Sequence, residues 1–325
     1  MTGALLEVDR LTVELPTRSG YQKAVDGISF TVDAGQVMGI AGESGSGKTL
    51  TALSLFGLLP HGARVGGSVR LEGTQLLGLR NSELRAIRGR HIAMVSQDPA
   101  TALHPILPIG TQLTEHMRHH LGVTKAEALT RAAKLLETVR IPDPQRALRS
   151  YPGQFSGGMR QRIAIAVALA AEPRLLVADE PTTALDVTVQ AGILRLIEQL
   201  CRERDLAVII ITHDLGVMSA TAQRLCVMYA GRLAESGPTS QLLTSPRHPY
   251  TRGLLDALPH PEVGGAPLVP IGGSPPSLGN IPSGCPFHPR CRYVRPQCRA
   301  ERPEPEQTDD EHLLACPPDP LRVVP

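Results

Sequence analysis

The run Gly42-Glu43-Ser44-Gly45-Ser46-Gly47-Lys48-Thr49 fits the pattern G-x-x-x-x-G-K-[ST], which leaves a chain few choices of fold. Before it, Val37-Met38-Gly39-Ile40-Ala41 reads as a buried strand, and after it Leu50–Phe56 reads as a helix. A glycine turn in that setting aims backbone N–H groups at a helix start, where an anion is favoured. A Cβ at Gly45 or Gly47 would obstruct phosphates approaching the backbone. Lys48 offers a cation for β- and γ-phosphates, and Thr49 offers a hydroxyl for Mg²⁺. Gly42, Ser44, Gly45, Ser46, Gly47, Lys48 and Thr49 are therefore the expected contacts of a nucleoside triphosphate.

About a hundred residues downstream, Ser156-Gly157-Gly158-Met159-Arg160-Gln161-Arg162 reads as a turn opening a helix, Ile163 to Ala171. Leu175-Leu176-Val177-Ala178-Asp179-Glu180 then reads as a buried strand ending in two acids, at the strand end where ligands gather in parallel α/β sheets. With Gln97 before them, and Thr183-Ala184-Leu185-Asp186 and His213 after them, these spacings resemble the ATP-binding cassette (ABC) ATPases. The signature begins with Phe155 and ends with Met159, where the commonest form has Leu and Gln. Phe155–Arg162 and Ala178–Gln190 are similar to the first ATPase subunit of bacterial oligopeptide, dipeptide and nickel importers. So are Ser245–Thr251 and Gly284-Cys285-Pro286-Phe287-His288-Pro289-Arg290-Cys291.

The resemblance implies an α/β P-loop NTPase of ABC type with an antiparallel β subdomain, an inserted helical subdomain and a loop-rich C-terminal extension. It implies that Asp179, Thr49 and Gln97 serve Mg²⁺, that Glu180 polarises the attacking water, and that His213 orients it. Ser156, Gly157 and Gly158 would face the ATP of a second chain, with Asp186 at the same seam. Tyr21 is a candidate for stacking on adenine and equally reads as a surface tyrosine. The implied partners are a second, related ATPase forming a heterodimer, two permease membrane subunits and an extracytoplasmic solute-binding protein, with this chain peripheral on the cytoplasmic face of the membrane. The implied function is ATP hydrolysis driving import of di- or oligopeptides; nickel or glutathione import is the alternative within transport.

Composition narrows the competing classes. A net charge of +2 with interspersed signs gives no electrostatic case for nucleic-acid binding. A soluble ABC ATPase acting on nucleic acid would call for coiled-coil insertions, a second cassette or a basic arm, and a P-loop kinase has no need of the Ser-Gly-Gly turn. The N-terminal residues lack a basic region followed by an apolar one, so no leader is expected. Of the 29 prolines, 19 fall in residues 238–325, which places an expected boundary near Gly237 between the ATPase (1–237, helical insert about 98–160) and a Pro-rich extension (238–325).

Four of the six cysteines, Cys285, Cys291, Cys298 and Cys316, lie in that extension, whereas Cys201 and Cys226 read as ordinary helix and strand thiols. Clustered cysteines in a cytosolic chain more often bind metal than form disulfides. The spacing C-x5-C-x6-C-x17-C lacks the C-x2-C pairs of zinc ribbons. It resembles the tail of peptide-importer ATPases that carry a [4Fe–4S] cluster, with Zn²⁺ as the alternative.

Overall fold

The computed structural model describes residues 3–183, 185–258, 269–309, 311–317 and 319–321. Ala184 and part of the extension, including 259–268, lie outside the described residues. In chain order the strands are β1 (Leu6–Thr17), β2 (Gly20–Val32), β3 (Val37–Ala41), β4 (Arg64–Leu71), β5 (Thr74–Gln75), β6 (Ile92–Val95), β7 (Leu175–Asp179), β8 (Ala207–Thr212), β9 (Arg224–Tyr229), β10 (Arg232–Pro238), β11 (Glu306–Asp309) and β12 (His312–Leu314). The helices are α1 (Lys48–Leu55), α2 (Asn81–Ile87), α3 (Pro99–Ala102), α4 (Ile109–Leu121), α5 (Lys125–Thr138), α6 (Pro144–Ala147), α7 (Gly157–Leu169), α8 (Val187–Arg204), α9 (Leu215–Thr221), α10 (Thr239–Thr244), α11 (Pro249–Asp256) and α12 (Gln297–Ala300). They form two compact units, one of Met1–Val32, Met38–Leu77 and Thr212–Pro325, the other of Asp33–Val37 and Gly78–Ile211.

In the first unit, an antiparallel sheet is ordered β2-β1-β4-β5. Alternation along β1 buries Leu6, Val8, Leu11 and Val13, and β2 answers with Val25, Ile28 and Val32. Strand β2 starts at Gly20, because Thr17 pairs Gly20 across a two-residue turn and Thr17 Oγ1 donates to the Gly20 carbonyl at 2.6 Å. Strand β4 was not foreseen, since Gly66 and Gly67 interrupt its apolar pattern. Gly67 stands at φ 93°, and a Cβ there would lie 2.4 Å from the Arg10 carbonyl oxygen, where the β1–β4 register shifts between Asp9 and Thr12.

The same unit holds β3, fully buried and paired in parallel with β9. Strand β10 runs antiparallel to β9, and the extension adds β12 and β11 beyond it. Glu235 on β10 has no solvent exposure. Its Oε1 accepts from the Arg247 N–H at 2.7 Å and from His312 Nε2 at 2.8 Å, and its Oε2 accepts from the His248 N–H at 3.1 Å. One buried carboxylate thus ties β10, the start of α11 and β12 together. Tyr229, Tyr250 and Phe287 pack beside it, with ring centroids 4.6 to 5.3 Å apart.

The second unit contains a parallel sheet in which β7 lies between β6 and β8, with Leu175 opposite both Ile92 and Ala207. Helix α8 connects β7 to β8 and completes a parallel β-α-β unit. Strands β7 and β8 are buried throughout, which is why they read as continuous apolar runs. Between residues 98 and 156 the chain is helical, and Thr124 caps α5 by accepting from the Glu127 N–H. Along α5 and its C-terminal end, Ala128, Ala132, Leu135, Leu136 and Val139 are buried while Leu129 is 39 % exposed. Helix α7 begins at Gly157, earlier than the expected Ile163, because Ser156 Oγ accepts from the Met159 N–H and sets the start. Among the described residues no helix is long and apolar enough to cross a membrane.

Candidate nucleotide site

The phosphate loop links β3 to α1 in the first unit. Gly47 caps α1 at φ 99°, and a Cβ there would come 2.9 Å from the Ala24 carbonyl oxygen, so backbone and space both demand glycine. Gly45, at φ 80°, is different: a Cβ would meet no protein atom within 4 Å, which leaves its backbone open on the side where a ligand would come. Ser44, Gly45 and Thr49 are exposed, whereas Ser46 and Lys48 are buried. The Lys48 ammonium donates to the Gly42 carbonyl at 2.7 Å and the Glu43 carbonyl at 2.9 Å, and reaches Ser46 Oγ at 3.4 Å. The cation is held against its own loop.

Residues of the extension hold the loop from its other side. The Glu43 N–H donates to Tyr250 Oη at 2.8 Å, and both Glu43 carboxylate oxygens accept from the Arg290 guanidinium, at 2.6 and 2.9 Å. Arg290 also donates to Tyr229 Oη at 3.3 Å, and the Glu43 bonds hold its guanidinium above its ordinary pKa. In the sequence Arg290 and Tyr250 stand out only as part of the tail. A separation of 247 residues gives no periodic signal by which to find such a pair.

In the second unit, Asp179 ends β7 in a buried position, and Glu180 follows at φ 49°, a left-handed conformation that a non-glycine residue seldom adopts. That backbone is kept by the Glu180 N–H donating to the Ile211 carbonyl at 2.8 Å. Gln97 Nε2 donates to Glu180 Oε2 at 3.0 Å, and Thr183 Oγ1 donates to the same oxygen at 2.9 Å. Gln97 and Glu180 are therefore brought together. Thr183 stands three residues after Glu180, a spacing that signals this contact in the sequence.

Ser156 and Asp186, expected at a seam with a second chain, both cap helices here: Asp186 Oδ1 accepts from the Val189 N–H at 2.9 Å. Gly158 is needed for packing, since a Cβ there would stand 2.5 Å from Val189 Cγ1, while Gly157 has ordinary space beside Leu185. Val187, next to Asp186, leaves 80 % of its surface exposed. In the first unit His213 lies exposed after β8, and Tyr21 lies on β2, 41 % exposed, with the Arg64 guanidinium 3.6 Å from its ring centroid.

The four extension cysteines lie within electrostatic reach of one another. Burial pushes the Cys316 thiol up to about 12, and Cys285, Cys291 and Cys298 add to the shift. Cys285 is raised by burial first, then by Cys298 and Cys291. Among the described residues no group of three or more His, Cys, Asp or Glu side chains stands in a coordinating arrangement.

A strand, a glycine turn carrying a seated lysine, and a parallel sheet whose middle strand ends in Asp-Glu define a P-loop NTPase. The family model for ABC transporters matches residues 25–183, and that for the oligopeptide/dipeptide transporter C-terminal region matches 234–298. The oligopeptide transport ATP-binding protein OppD of Haemophilus influenzae is 48% identical over 295 residues, covering 91% of each chain. The dipeptide transport ATP-binding protein DppD of Bacillus subtilis is 47% identical, covering 96% of this chain and 94% of its own. Among solved structures, a dimeric post-hydrolysis state of the ATP-binding cassette MJ0796 bound to ADP and Pi superposes with a TM-score of 0.64 at 26% identity, covering 72% of this chain and 98% of that one. The chain belongs to the ABC transporter ATPases, in the branch of oligopeptide and dipeptide transport ATP-binding proteins.

Proposed function

We propose that this chain hydrolyses ATP to drive import of di- or oligopeptides, as one ATPase of a heterodimer that works with two permeases and an extracytoplasmic solute-binding protein. The observation that carries the reading is the phosphate loop: Lys48 seated on the Gly42 and Glu43 carbonyls beside exposed Ser44, Gly45 and Thr49. The peptide substrate rests on the named relatives and on the matching C-terminal region.

In this reading Lys48 and the loop amides bind the β- and γ-phosphates, and Glu180, held by Gln97 and Thr183, accepts a proton from the attacking water. Thr49 and Asp179 offer the hard oxygen donors that suit Mg²⁺, which neutralises phosphate charge when bound. His213 orients the water, and Ser156, Gly157, Gly158 and Asp186 face the partner ATPase, a surface supported by the exposed Val187. Residues 1–237 make the ATPase, with its helical insert at about 98–160 turned toward the permeases, and 238–325 make the extension. The chain then sits peripherally on the cytoplasmic face of the membrane.

Four soft thiols are the donors that a [4Fe–4S] cluster in a structural role would take, although among the described residues they do not stand in a coordinating arrangement. Loss of peptide uptake in a deletion strain, restored by the wild-type gene, is the expected result for transport; normal peptide uptake with failed nickel uptake would overturn the substrate. Anaerobically purified chain should carry about four irons, lost on Cys291→Ser. Stoichiometric zinc, or four free thiols without metal, would overturn the cluster.

A further inference from the structure

We propose that the C-terminal extension is a working part of the nucleotide site, with Arg290 and Tyr250 as positioning residues for the phosphate loop. The inference rests on the ATP-binding role of that loop.

Glu43 is an open position in the loop pattern, yet all three of its polar groups are taken. Its N–H goes to Tyr250, its carbonyl to the Lys48 ammonium, and its carboxylate to the forked guanidinium of Arg290. The peptide on which Lys48 rests is thereby fixed from the extension. Tyr250 is fully buried and the Arg290 side chain is 5 % exposed, so neither partner is a mobile surface group. Arg290 ends a short 3-10 turn, His288–Arg290, between Cys285 and Cys291; the Arg290 N–H donates to the Phe287 carbonyl and the Cys285 N–H to the Cys298 carbonyl. The folded cysteine segment sets where the guanidinium stands.

Charge gives this contact a consequence beyond stability. An uncompensated carboxylate at residue 43 would stand in the loop that must receive a polyanion, and repulsion between them would weaken binding. The bidentate pair with Arg290 neutralises it. Two separable contributions follow: Arg290 cancels the charge, and Tyr250 fixes the peptide.

The test is binding of a fluorescent ATP analogue with Mg²⁺ to the full-length chain. Arg290→Gln should weaken binding about tenfold. Glu43→Gln combined with Arg290→Gln should bring the affinity back to within about threefold of wild type, because the repelling charge is gone. A merely structural arginine would give no such recovery. Tyr250→Phe keeps the buried ring and should speed hydrogen exchange at the loop amides while leaving those of β1 and β2 unchanged; it also serves if Arg290→Gln does not fold. Wild-type affinity in Arg290→Gln, a double variant as weak as the single, or unaltered loop exchange in Tyr250→Phe would overturn the proposal. A wild-type chain that binds no Mg-ATP would instead overturn the proposed function.

Discussion

The phosphate loop and the C-terminal extension touch at Glu43 but are built in opposite ways. The loop is held by its own backbone: left-handed glycines, a helix start, and a lysine folded onto carbonyls five and six residues away. The extension is held by polar side chains buried against distant partners, with Glu235 accepting from the Arg247 and His248 N–H groups and from His312, and Arg247 pairing with Asp319. Such a local design is specified within a few consecutive residues, and the extension reaches it at Glu43. A design of buried charges fails as a unit, because removing one member strands the others.

The comparison is sharpened first by chemistry. Glu180→Gln should retain Mg-ATP binding while turnover falls by about 10³-fold, since only the proton acceptor is lost. Turnover near the wild-type rate would move the base elsewhere. A stability effect comes next: Glu235→Ala should cost about 3 kcal/mol, because three donors lose one buried acceptor. Denaturant unfolding measures this, and a cost below about 1 kcal/mol would mean that the extension does not depend on its buried carboxylate.

The smallest effect is a pH slope. Burial lowers His248 from 6.5 to about 4, and its ring nitrogen accepts from the Tyr250 N–H at 3.0 Å. Between these values the unfolded chain binds a proton that the folded chain refuses, so stability falls as pH drops from about 6.5 toward 4, by roughly 1 kcal/mol per pH unit. His248→Asn should flatten that part of the profile. An unchanged slope would place the titration on another group.

How far the sequence revealed the molecule follows the same division. Strand β3, the glycine turn and the buried strand β7 were legible because each is specified within a few consecutive residues. Strand β4 was hidden by Gly66 and Gly67, which serve a bulge rather than a turn. The contacts of Gln97 and Thr183 with Glu180 were not read from the sequence, although Thr183 stands only three residues from Glu180. Those of Arg290 and Tyr250 with Glu43 could not, since pairing over 247 and 207 residues leaves no trace in local pattern. Tyr21, a candidate for adenine by its spacing, has its ring against the Arg64 guanidinium.

The central claim is that the seated lysine serves a nucleotide. It is tested most directly by steady-state ATP turnover of the purified transporter carrying either wild-type chain or Lys48→Ala, with circular dichroism to show that both are folded. Loss of turnover by about 10³-fold or more in the folded variant is the expected result. Equal turnover in the two complexes would contradict it.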